Sequence, residues 1–129
     1  MQIKCSKDIG GWFDELSIIH NKVGKSEGKT QENNLVNFRK LCQEICDNID
    51  IELFDKIIKS PEYNELLRLN QEIFELIDLL REKQYQRPTN WKSLATYGMK
   101  IDQYNTFRYK AKKSLQRKFF NTDVKEVKL

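Results

Sequence analysis

The chain has 129 residues, 39% hydrophobic and 33% charged, with a net charge of +4. That is one domain's worth of chain (residues 1–129) with enough apolar side chains for one core, and two Pro with five Gly are too few for a many-turned β-sandwich or barrel. No apolar run approaches the roughly 18 residues of a membrane span, and residues 1–8 lack a signal peptide's apolar stretch, so the reading is a cytoplasmic protein.

Helical periodicity runs nearly throughout. Ile9, Trp12, Phe13, Leu16, Ile19 and Val23 recur at three- and four-residue steps and predict a first helix near 7–23, capped by Ser6 or Asp8. The breaker-rich segment 24–30 reads as a loop. Its Gly28-Lys29-Thr30 ending invites a phosphate-loop reading, which fails. Gly24 and Gly28 have three residues between them rather than four, and the preceding segment is an amphipathic helix rather than a strand.

A second helix at about 31–49 turns Leu35, Phe38, Leu41, Cys42, Ile45, Cys46 and Ile49 inward. Asp50 is positioned to cap a short third segment that buries Phe54, Ile57 and Ile58. Ser60-Pro61-Glu62 is the clearest helix start in the chain, since Ser caps, Pro suits the first position and Glu favours the positive helix end. The fourth helix runs to about Gln86, its stripe made of Tyr63, Leu66, Leu67, Ile73, Phe74, Ile77 and Leu80. Arg87-Pro88 stops it.

Thr89 or Asn90 caps the last helix, about 90–120, with Leu94, Tyr97, Ile101, Tyr104, Ala111, Leu115 and Phe119 inward. That stripe passes Gly98 without a phase break, which favours one continuous helix. A helix-turn-helix, with Asp102 capping a recognition helix, is the alternative. Short connections favour antiparallel neighbours, so the expected fold is all-α: an antiparallel helical bundle of four long helices plus one short helix.

Three Cys without a secretory signal read as reduced thiols, and Cys42 and Cys46 fall in an apolar stripe where they should be buried. With Cys5 and His20 they could complete a four-ligand zinc set, but the local spacing of such sites is missing. His20 is the only histidine, with no assignable nucleophile and no Glu three residues before it, which excludes the usual di-iron pattern. It reads as a histidine satisfied at the core edge. No enzyme, cofactor, metal or small-molecule substrate is expected.

Charge is uneven. Residues 1–80 hold 10 Lys/Arg and 15 Asp/Glu, whereas 81–129 hold 13 and 4. The basic surface is concentrated in Lys100, Arg108, Lys110, Lys112, Lys113, Arg117 and Lys118, with Tyr109 among them. The leading expectation is a non-catalytic interaction module that binds a protein partner or itself. The alternative is nucleic-acid binding through these same residues, because cations neutralise phosphates and aromatics stack on bases.

Overall fold

Asp8 starts the first helix. In the computed structural model, which describes residues 8–120, it stands at the N-cap of α1 (Ile9–Lys25) and accepts from the Gly11 amide. One of the helix's unpaired N–H groups is thereby satisfied. Ser6, the other candidate cap, lies outside the described residues, as does Cys5.

The expected 24–30 loop is corrected to a two-residue connection, because α2 (Gly28–Cys46) begins almost at once. The Ser26 amide and hydroxyl both donate to the Lys22 carbonyl (3.1 and 2.7 Å), which closes α1 beyond Gly24. Gly28 then takes φ +61°, a left-handed conformation that turns the chain directly into α2.

Asp50 occupies the N-cap of α3 (Ile51–Ile58), but its side chain makes no capping bond. At the head of α4 (Pro61–Gln84), Ser60 Oγ accepts from the Tyr63 amide at 3.2 Å, with Pro61 in the first turn. Asn90 Oδ1 accepts from the Ser93 amide at 3.1 Å and starts α5 (Trp91–Phe120). This helix is continuous through Gly98, so the helix-turn-helix alternative is excluded.

The fold is an all-α helical bundle with no strand among the described residues. α1 and α2 are antiparallel, with Gln31 bonding back to the Val23 carbonyl and Phe38 set edge-on to His20. α4 and α5 form a second antiparallel pair, joined near one end by Lys118 and Glu62. α1 packs on both members of that pair, and α3 bridges α2 and α4. The centre is aromatic: Phe13 meets Phe54 at 5.8 Å and the edge of Tyr63 at 6.2 Å, beside buried Trp12, Leu16, Ile45, Ile57 and Leu66.

Packing differs from a four-long-helix bundle in one respect. α1 is shorter than α4 and α5, so the outer half of the α4–α5 hairpin has no third helix against it. From 74 to 110 no residue is buried. Phe74, Ile77, Leu80, Leu94, Tyr97, Ile101 and Tyr104, expected in the core, are half-exposed there, as are Leu35 and Phe38 on α2.

Two glycines test the packing. A Cβ at Gly10 would stand 2.9 Å from the Lys112 carbonyl oxygen, because the backbones of α1 and α5 approach closely here. Nothing lies within 4 Å of a Cβ at Gly98. Gly10→Ala should cost about 1–3 kcal/mol by overpacking, and Gly98→Ala should stabilise by about 0.5–1 kcal/mol through helix propensity. Chemical denaturation of both variants checks the opposite signs.

Candidate interaction surface

The eight residues of the expected basic surface do not converge. Arg108 turns inward to α1, where its Nη2 donates to Asp14 Oδ2 at 2.7 Å and its Nε lies 3.0 and 3.1 Å from the two carboxylate oxygens. Lys118 Nζ donates to Glu62 Oε1 at 2.9 Å, and this bond holds the Glu62 carboxyl below the usual carboxylate range. Lys100 stands roughly 15 Å along the helix from Lys110, at 1.5 Å per residue, and lines a groove with Glu72 and Glu75.

Lys112 and Lys113 hold their ammonium groups 5.6 and 5.3 Å from the ring centre of Tyr109. Such cation–π contacts occupy the same aromatic that stacking on a base would use. Lys110, Lys113 and Arg117, three and four residues apart, share one outward strip of α5. The acidic and basic parts of the chain thus partly answer each other within the molecule.

Sequence reasoning missed the polar knot that Arg108 completes. Asn70 Nδ2 donates to Asp14 Oδ1 (3.0 Å) and to Ser17 Oγ (2.7 Å), while Ser17 Oγ donates to the Asp14 carbonyl (2.6 Å). Asp14, Ser17 and Asn70 are all buried. Nearby, Gln116 Oε1 accepts from the Gly10 amide at 2.7 Å. No buried side-chain N or O among the described residues lacks a partner, as a low-dielectric interior requires. One signal was available. Asn70 lies four residues after Leu66 and three before Ile73, in phase with the buried stripe.

His20 carries out the modest role expected of it. Its Nδ1 lies 3.2 Å from the Tyr63 hydroxyl, whose pKa is raised by burial first and by Cys42 second. The buried-thiol expectation is corrected: Cys42 and Cys46 are free and only half-buried, because α2 leaves part of its inner stripe at the molecular edge. Burial, then Cys46, raises the Cys42 pKa; burial, then Asp47, raises that of Cys46. A reactive cysteine needs the opposite shift. Among the described residues no three His, Cys, Asp or Glu groups gather as a metal site, and no helix is long and apolar enough to cross a membrane.

The largest exposed apolar side chains gather on the α4–α5 hairpin. Tyr85 is 83% exposed, Trp91 74% and Met99 73%, with Leu79, Phe107 and Tyr109 also open to solvent. Tyr85 and Trp91 flank the tip. There the Arg87 guanidinium ties the turn together through the carbonyls of Gln84 and Gln86 and the Thr89 hydroxyl, each at 3.0 Å. Scattered apolar residues are normal on a surface, but a helix pair whose stripe lacks a third element is not.

Compared with protein-family models, curated proteins and solved structures, the chain matches none. The all-α class therefore rests on the helices and their packing.

Proposed function

We propose that this protein is a non-catalytic helical interaction module whose contact surface is the outer half of the α4–α5 hairpin. One observation carries the reading: large apolar side chains concentrate on a helix pair that has no buried residue from 74 to 110. Trp, Tyr and Arg dominate the energetics of protein contacts, and all three occur at this tip as Trp91, Tyr85 and Arg87. Nucleic-acid binding is the less favoured alternative, because Arg108 and Lys118 are engaged with Asp14 and Glu62 and the Tyr109 ring is flanked by its own lysines.

A photo-crosslinking side chain placed at 79 or 91 in the intact producing cell should give discrete protein adducts. The same group at Val36, another exposed apolar position, should give none. Equal labelling from all three positions, or none from the hairpin, overturns the reading.

A further inference from the structure

Resting on that reading, we propose that the hairpin's partner is a second copy of this chain, docked face to face so that two α4–α5 pairs complete a four-helix bundle. A groove of about 400 Å³ runs between the two helices on the side turned away from Asn70 and Arg108, where α1 packs, and is floored by Leu76, Leu79 and Tyr104. Phe107, set edge-on to Tyr104 at 6.0 Å, lengthens the apolar floor. The walls carry opposite charge at one level: Glu72 and Glu75 on α4, Lys100 on α5.

Charge selects both the occupant and the symmetry. A two-fold axis along the hairpin lays α4 of one copy over α5 of the other, so each acidic wall meets Lys100 of the partner subunit at the same height. An axis across the hairpin would set α4 on α4 and carboxylates against carboxylates. A surface that pairs its own two walls in this way is self-complementary, as a two-fold interface must be. Glu72 already accepts from Arg68 at 3.2 Å, and Glu75 lies 3.8 Å from Lys25. Both are solvent-exposed pairs that exchange partners at little cost.

Area sets the strength. An outer α5 segment of 20 residues at 1.5 Å each spans about 30 Å, and two helices side by side are about 20 Å wide, for a footprint of roughly 600 Å² per copy. The total of about 1,200 Å² sits at the lower edge of specific interfaces and corresponds to a reversible dimer rather than an obligate one.

Sedimentation equilibrium of the full chain tests the proposal. It should show a monomer–dimer equilibrium with a Kd on the order of 10–100 μM, where a small interface belongs. Leu79→Asp should raise the Kd at least ~10-fold through a charge buried in the apolar floor, with helicity by circular dichroism unchanged because residue 79 is partly exposed. Lys100→Glu makes both walls acidic, and Glu72→Lys with Glu75→Lys makes both basic. Each variant alone should dimerise ~3–10-fold more weakly, and an equimolar mixture should recover the wild-type affinity as a heterodimer.

A wild-type chain monomeric to 300 μM, or a dimer indifferent to Leu79→Asp and to the charge swap, overturns self-pairing. Crosslinks from position 79 to other proteins, with none at twice the chain mass of 15.4 kDa, would leave the interaction reading standing and remove the second copy. Absence of both dimer and crosslinks removes the two together.

Discussion

Trp12→Ala should lower the stability by about 3–5 kcal/mol, the usual cost of truncating a fully buried aromatic. Trp12 is 1% exposed, on the buried face of α1 that also carries Ile9, Phe13 and Leu16. Domains of this size are stable by only about 5–15 kcal/mol, so the loss is a large fraction of the whole. At roughly 4 °C per kcal/mol the melting temperature should fall by about 10–20 °C.

The chain has two tryptophans, which supplies the control. Trp91→Ala removes the exposed ring at the hairpin tip and should shift stability by no more than about 0.5 kcal/mol. In the Trp91→Phe protein the remaining emission should be blue-shifted and shielded from acrylamide. An unchanged denaturation midpoint for Trp12→Ala would make Trp12 a surface anchor and overturn its place in the core.

Arg108→Ala should cost about 2–4 kcal/mol, although lysines on the same helix can be replaced with little effect. The Asp14 side chain is 8% exposed, and without Arg108 its carboxylate retains, among the described residues, only the Asn70 amide as a side-chain donor. Removing one partner of a buried pair costs about 3–5 kcal/mol. The lower figure applies here because Arg108 is itself 31% exposed. In a cycle with Asp14→Ala the two losses should be strongly non-additive, with a coupling of about 1 kcal/mol or more. Lys118→Ala, which breaks the outer pair with Glu62, should stay within about 0.5 kcal/mol of wild type. Equal small effects for Arg108 and Lys118 would show that Asp14 is hydrated rather than buried. Arg108→Lys should not rescue, since an ammonium cannot hold both carboxylate oxygens as the guanidinium does.

Much of the fold is legible in the sequence. Ser60-Pro61-Glu62 starts α4 as read, Asn90 caps α5, and the phase of Ile9, Trp12, Phe13 and Leu16 marks the buried face of α1. These are local effects, governed by capping geometry and the 3.6-residue period, and both are written into neighbouring residues. The 24–30 segment misled because Gly24 and Gly28 read alike as breakers. Only Gly28 takes the left-handed turn, while Gly24 remains helical and is closed off by Ser26.

What the sequence by itself determined is the class of the protein, the start of every long helix except α2 and which residue of each turn is apolar. Which of those apolar residues are covered was decided only by the tertiary structure. A helical period says that Ile77, Leu80, Leu94 and Ile101 share a stripe with Leu66 and Leu115. It cannot say that α1 ends too soon to reach them. Nor can composition reveal that Arg108 reaches α1 while Lys110 faces water, because a side chain's partner across 94 positions depends on how the helices cross. Burial and pairing are properties of three-dimensional proximity. On this chain they separate a charged helix into a buried tie at Arg108 and an open face at the hairpin.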